Sequence, residues 1–171
     1  MSQSSISTVA AFNALLVRDG DGHYRPASAE EVLHQARRVL SNRVRRGSPM
    51  SSPDAVKDYL RVGIGTLEHE VFVVLFLDAQ HRLIVLKEMF RGSVSQTLVY
   101  PREVVKEALM CNAAAVILAH NHPSGAAEPS RADEFLTQSL KAALAMVDVR
   151  VLDHLVVGGT QVISMAETGR V

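Results

Sequence analysis

The sequence predicts an α/β domain in which a mixed β-sheet is flanked by helices. Three observations carry this. Residues 70–77 form a nearly continuous apolar run, the pattern of a strand buried on both faces. Segments with helical apolar spacing, residues 101–112 and 130–147 among them, alternate with short strand-like runs. The chain has 171 residues, 47 % of them hydrophobic, enough for one sizeable core.

Residues 1–11 are serine-rich and expected to fray. Residues 12–17 make a short apolar run that reads as a strand. Asp19-Gly20-Asp21-Gly22 is a turn signal, after which Tyr24-Arg25-Pro26 returns as a second short strand. The Asp-Gly repeat lacks the later ligands and the bidentate glutamate of an EF-hand loop, which disfavours a calcium site. Residues 28–46 read as a helix. Ser28 and Glu31 fit a capping box, and Val32, Leu33, Ala36, Val39 and Leu40 form one apolar stripe. Its end is basic, with Arg37, Arg38, Arg43, Arg45 and Arg46 and no acid from Val32 to Pro53. Cations complement a helix C-terminus, so this run reads first as a solvated face and only second as a nucleic-acid contact. Gly47-Ser48-Pro49 reads as a linker. It sets a boundary between an N-terminal extension with a basic helix, residues 1–50, and a C-terminal domain, residues 51–171.

Ser52 and Pro53 open a second helix with Val56, Tyr59 and Leu60 inward, ended by Gly63-Ile64-Gly65. These glycines are not a dinucleotide-binding motif, because Glu68 stands at the third glycine position and no strand precedes. The strand at residues 70–77 follows, then the turn Asp78-Ala79-Gln80-His81 and a return strand at residues 82–90. Gly92 breaks that strand, and residues 97–100 are expected to form a third. Pro101 starts a helix with Val104, Val105, Ala108 and Leu109 inward. A strand then runs to Ala119, and a turn-rich loop leads to the helix at residues 130–147. Its core stripe is Ala132, Phe135, Leu136, Leu140, Ala143 and Leu144. Residues 149–157 and 161–164 close the chain as strands turned by Gly158-Gly159. There are no internal repeats.

Lys+Arg and Asp+Glu both number 18, so no global charge directs the chain to nucleic acid or membrane. No apolar run approaches the length of a transmembrane helix, and residues 1–7 lack the basic segment of a signal peptide. Cys111 is the only cysteine, so no intrachain disulfide can form; it reads as a small core residue rather than a nucleophile. Together these features predict a soluble cytoplasmic protein with no membrane partner.

The chemistry concentrates in His120-Asn121-His122-Pro123-Ser124-Gly125 and the Ser130 and Asp133 that follow. In an extended strand, side chains at i and i+2 share a face, so His120 and His122 can converge on one point. Asp133, one turn into the next helix, can supply a third ligand. Two imidazoles and a carboxylate suit Zn²⁺, and three protein ligands leave the fourth tetrahedral position for water. Ser130 and Asp133 also match a helix capping box. The two readings are compatible, since a cap can fix the helix that presents Asp133.

This spacing, His-x-His-x7-Ser-x2-Asp, resembles the signature of the JAB/MPN (JAMM) metalloprotease family. The residues His120-Asn121-His122-Pro123-Ser124-Gly125, Leu152-Asp153-His154 and Tyr100-Pro101-Arg102-Glu103-Val104-Val105 narrow the resemblance to the bacterial RadC branch, across roughly residues 52–171. The resemblance implies the JAB/MPN, cytidine deaminase-like fold. It also implies zinc held by His120, His122 and Asp133, and hydrolysis of a peptide or isopeptide bond in a peptide or protein substrate. Zinc lowers the pKa of bound water to roughly 7, and a base must take its proton. The family places a glutamate for this at the start of the first core strand. Glu70 fits best, Glu68 is the runner-up, and Glu88 and Glu103 trail. The serine matching Ser130 would help stabilise the tetrahedral oxyanion, a contribution worth about 3 kcal/mol for a preorganised donor.

His154 follows Asp153 in a strand-like run, where neighbours face opposite sides, so it reads as a core histidine or a support for the site rather than a ligand. His23, His34, His69 and His81 lack ligand spacing and read as surface residues. Longer RadC members carry an N-terminal helix-hairpin-helix region that this sequence does not show, so weak, sequence-independent nucleic-acid binding at most is expected. The family's name ties it to DNA repair, and short forms occur on mobile elements. The competing class is a metal-binding or DNA-associated protein without catalysis; the intact ligand set favours the enzyme.

Overall fold

The computed structural model describes residues 15–43, 46–47, 53–92 and 98–171. Residues 1–11, expected to fray, the start of the apolar run at residues 12–17, Ser48, Pro49, the expected Ser52 cap and Thr97 lie outside the described residues. Two compact units emerge, one ending at Ala36 and one beginning at Arg37.

In the first unit, Leu16–Arg18 (β1) pairs antiparallel with Tyr24–Pro26 (β2). Asp19 builds the turn between them. Its Oδ1 accepts hydrogen bonds from the backbone of Asp21 at 3.1 Å and His23 at 2.8 Å, so the carboxylate serves the turn. Helix α1, Ala29–Arg43, opens on the expected capping box. The Glu31 N–H donates to Ser28 Oγ at 3.2 Å, and the Ser28 N–H donates to Glu31 Oε2 at 2.8 Å.

The second unit contains α2 (Pro53–Ile64), β3 (Val71–Leu77), β4 (Leu83–Arg91), α3 (Pro101–Met110), β5 (Ala115–Asn121), α4 (Arg131–Ala145), β6 (Arg150–Gly158) and β7 (Gln161–Ser164). Its sheet has the order β4-β3-β5-β6-β7. β5 and β6 run parallel and the other neighbouring pairs antiparallel, which makes the sheet mixed as expected. A parallel pair needs a crossover, and α4 supplies it.

Strand alternation sorts the core into two layers. On one face Val71, Val73, Leu75 and Leu77 of β3 pack with Val56, Leu60 and Ile64 of α2. On the other, Phe72, Val74 and Phe76 pack with Val104 and Ala108 of α3 and Leu140 and Leu144 of α4. Every residue of β3 and β5 is buried, which is why neither strand shows a polar alternation in sequence. His120 lies on the α3/α4 side and Asn121 on the α2 side.

The structure departs from expectation in three places. Leu98 to Tyr100 form no strand. Tyr100 is extended, with φ −102° and ψ 109°, but this is the conformation imposed on a residue before proline, and it serves as the N-cap of α3. Leu109 and Phe135, expected in the core, are 57 % and 77 % exposed. The buried stripe of α4 is instead Thr137, Leu140 and Leu144, a polar residue taking an inward position. His69 and His81 are half-buried rather than on the surface; His81 Nε2 lies 2.9 Å from an Arg150 guanidinium nitrogen. Among the described residues, no helix is long and apolar enough to cross a membrane.

Candidate metal centre

The carboxyl end of β5 delivers the two histidines. His120 is its penultimate residue and is 1 % exposed. His122 follows the strand, and its N–H still donates to the Val157 carbonyl of β6 at 2.8 Å, so the extended backbone continues and the two rings emerge on one side. Asp133 enters from the first turn of α4. One ligand atom from each of His120, His122 and Asp133 lies within 4.8 Å of the other two, close enough to hold a metal ion. His120 Nε2 is 3.0 Å from His122 Nε2 and 3.1 Å from Asp133 Oδ1, and His122 Nε2 is 3.5 Å from Asp133 Oδ2.

The carboxylate is oriented by Ser130, the N-cap of α4. Asp133 Oδ2 accepts from the Ser130 N–H at 2.7 Å and from its hydroxyl at 2.6 Å, while Ser130 Oγ accepts the Asp133 N–H at 3.2 Å. This is the capping box, and it leaves Oδ1 facing His120. The serine is exposed and its hydroxyl proton points to the carboxylate. Cap and ligand presentation are therefore one construction.

His122 is held from behind. Its Nδ1–H donates to the Ala126 carbonyl at 2.7 Å, which turns Nε2 to the cluster. The loop supplying that carbonyl lies directly on Gly158 of β6. A Cβ there would stand 2.4 Å from the Ala127 nitrogen and 2.5 Å from the Ala126 carbonyl carbon, so only glycine admits the approach. Gly125, at φ +83°, makes the turn that brings the loop back.

His120 is backed by His154, whose Nε2 lies 2.8 Å from His120 Nδ1. His154 is fully buried, and its Nδ1 lies 2.6 Å from the hydroxyl of Thr137. Phe72 lines both, stacked with the His120 ring at a centroid distance of 6.3 Å and edge-on to His154 at 5.6 Å. As strand alternation requires, Asp153 faces away; its carboxylate accepts from Ser164 Oγ and the Ala166 N–H.

Charge follows from this arrangement. Burial opposes ionisation of Asp133, but hydrogen bonds from His120, His122 and Ser130 together with the charge of His120 outweigh it and hold the carboxyl well below its ordinary range. His122 is raised, first by its hydrogen bond to Asp133 against the cost of burial, then by the Ala126 carbonyl and by the charges of Asp133 and Glu70. His154 is pushed down to about 3 by burial and then by the neighbouring charge of His120, which keeps it neutral.

Glu70 immediately precedes β3. The β3–β5 ladder ends at the pair Phe72–His120, two residues from Glu70, and the charge of Glu70 reaches His122. Its backbone is fixed by the Gly92 N–H, which donates to the Glu70 carbonyl at 2.9 Å. Asn121, between the two histidines, points the other way and clamps the same segment. Its Oδ1 accepts the Val71 N–H at 2.8 Å, and its amide donates to the carbonyls of His69 at 3.1 Å and Leu67 at 3.4 Å. The other glutamates considered from sequence stand elsewhere. Glu68 is exposed in the bend before the strand; Glu88 pairs with Arg91 at 2.8 Å and Glu103 with Lys106 at 3.3 Å. The Cys111 thiol, at the C-cap of α3, is raised by burial and then by the Glu107 charge, which keeps it protonated.

Asn121, Thr137 and Gly158 are the site residues that sequence reasoning missed. Thr137 had a readable signal, four residues after Asp133 and so on the same helix face. The other two have none, because their roles depend on contacts between elements far apart in sequence.

A family model described as a RadC-like JAB domain matches residues 50–170. Curated relatives named UPF0758 protein match most of the chain. One from Leptothrix cholodnii is 61 % identical over 150 residues, covering 88 % of this chain and 68 % of its own. One from Polaromonas is also 61 % identical, covering 67 % of its own length. One from Variovorax paradoxus is 53 % identical over 166 residues, covering 97 % of this chain and 74 % of its own.

Proposed function

Because the chain belongs to the RadC-like JAB domain family, we propose that it is a metal-dependent hydrolase that cleaves an amide, peptide or isopeptide in kind, with zinc held by His120, His122 and Asp133. One observation carries the metal reading. Both histidines have their Nδ1 engaged, at Ala126 and at His154, so their Nε2 atoms converge 3.0 Å apart beside a carboxylate oxygen. Such an arrangement asks for a cation. The nitrogen-and-oxygen donor set, with three protein ligands, fits zinc in its catalytic form.

Zinc in that place would supply a Lewis acid that makes water acidic near neutral pH. The chain's own groups do the rest. Glu70, just ahead of the neighbouring strand, accepts the proton that the attacking water gives up and returns it to the departing nitrogen. Ser130, beside Asp133, is the donor for the oxyanion of the tetrahedral species once its hydroxyl turns from the carboxylate. The loop at residues 122–130 and Phe72 keep the histidines from turning away.

The test pairs metal analysis with a cleavage assay. Native mass spectrometry of the purified protein is expected to find about one zinc per chain, lost in the His120→Ala/His122→Ala double variant. A peptide and isopeptide library is expected to yield cleavage that a chelator abolishes. Equal zinc in both proteins would overturn the metal site. Zinc uptake with no cleavage across the library would move the reading to a non-catalytic metal-binding protein.

A further inference from the structure

Three buried polar contacts continue past the metal cluster. The Thr137 hydroxyl donates to the backbone carbonyl of Asp133 at 2.6 Å, and the same oxygen lies 2.6 Å from His154 Nδ1. His154 Nε2 lies 2.8 Å from His120 Nδ1. His154 and Thr137 are fully buried and His120 nearly so.

The direction of each bond follows from what the groups can do. A backbone carbonyl only accepts, so at 2.6 Å the single Thr137 hydroxyl proton must lie on the Asp133 bond. Thr137 Oγ1 is then an acceptor toward His154, and His154 Nδ1 must carry a hydrogen. A neutral imidazole has only one N–H, so His154 Nε2 is a bare acceptor. His120 Nδ1 must then be the donor, which leaves its Nε2 free for the cluster. One hydroxyl proton thus fixes the hydrogens of two rings in succession.

We propose that Thr137 and His154 are positioning residues forming a directional relay, Asp133 carbonyl to Thr137 to His154 to His120, that locks His120 in its Nδ1–H form and aims Nε2 at the metal. The proposal rests on the reading of the cluster as a metal site and goes beyond it by assigning roles to two residues that touch no metal. The relay also couples two of the three ligands, since it starts at the backbone of Asp133 and ends at the ring of His120. Removing the hydroxyl frees His154 to reverse. A His154 with its hydrogen on Nε2 would donate to His120 Nδ1 and drive the His120 hydrogen onto Nε2, where the metal must bind. Partners that orient a ligand histidine are typically worth roughly 10- to 100-fold in metal affinity.

The test uses the full chain. In metal-free protein labelled with ¹⁵N-histidine, long-range ¹H–¹⁵N correlation spectra are expected to show His154 with hydrogen on Nδ1 and bare Nε2, and His120 with hydrogen on Nδ1. Chelator competition is expected to show zinc affinity falling roughly 10- to 100-fold in Thr137→Val, which keeps the shape but not the hydroxyl, and recovering in Thr137→Ser. A wild-type His154 with its hydrogen on Nε2 would overturn the relay, as would unchanged zinc affinity in a folded Thr137→Val. If that variant does not fold, the wild-type spectrum still decides, because it needs no substitution. It also needs no metal, so a wild-type protein that takes up no zinc would sink the hydrolase reading and leave the relay to be judged on its own.

Discussion

At the scale of single residues, the proposed hydrolase reading turns on which glutamate would handle the proton. Sequence left Glu70 and Glu68 side by side, since both share a face if the strand begins early. The strand begins at Val71, and Glu68 lies exposed in a bend, whereas Glu70 stands two residues from the Phe72–His120 pair and its charge reaches His122. Asn121 and Gly92 fix the Glu70 segment from two sides. Glu70→Gln is therefore expected to keep fold and zinc content and to lose roughly 10²- to 10⁴-fold in turnover, the range for general acid–base catalysis. Glu68→Gln is expected to stay active. Turnover and zinc content measured on both variants decide it, and an active Glu70→Gln beside an inactive Glu68→Gln would reverse the assignment. The cluster of His120, His122 and Asp133 was legible because period-2 strand geometry and a one-turn helical offset can be counted along the chain. Asn121 was not, since nothing in its type or position says that it would reach residues 67–71 across the sheet.

At the scale of elements, the site is a meeting of one strand end, one helix start and the loop between them, each held by its own local device. The strand end is held by β6 through the His122 N–H, the helix start by its capping box, and the loop by its close contact with Gly158. Sequence showed the shared face of the two histidines and the capping box, because alternation and capping are local rules; the hold of β6 on the strand end is a contact between distant elements. Sequence read Gly158 only as a turn residue, because the need for a missing side chain comes from a loop some thirty residues earlier. The same limit explains Phe135, which fits the α4 stripe by spacing yet is exposed, while Thr137 is buried against His154. Gly158→Ala tests the loop's role. Its Cβ would meet backbone atoms, which cannot rotate away, so the loop must lift and the Ala126 carbonyl must leave His122. Overpacking of this kind costs about 1–3 kcal/mol. The expected outcome is a lower urea midpoint together with weaker zinc binding; a variant with both unchanged would show that the loop contact does not support the ligand.

At the scale of the whole molecule, the family domain spans residues 50–170; its helices and strands, apart from the expected strand at residues 97–100, were legible as apolar patterns, while the mixed sheet was implied by the family resemblance and only permitted by periodicity. The core histidine that strand alternation predicted at His154 is fully buried among the two apolar layers, and this shapes how stability responds to pH. His154 is pushed down to about 3 by burial and then by the charge of His120. In the unfolded chain it returns to the ordinary histidine value near ~6.5. Between these values the unfolded state binds a proton that the folded state refuses, so stability falls as pH falls, approaching a tenfold change in the folding equilibrium per pH unit. Asp133, held below its ordinary range, acts in the same direction, but only below about pH 4, where the unfolded carboxyl begins to protonate. His122 acts oppositely. Its raised value gives stability that is full below about pH 6.5 and is lost as pH rises through its folded value. In the window from about pH 6 to about pH 4.5, His154 acts above the range of Asp133, with Glu31, lowered to about 2, joining in the same direction toward the acid end. Urea midpoints of the metal-free protein, measured with chelator present across that window, are expected to fall steadily with acid. In His154→Gln, which removes the titrating ring, the slope is expected to flatten whatever the variant's absolute stability. Equal slopes in the two proteins would mean that His154 is not the group that resists protonation.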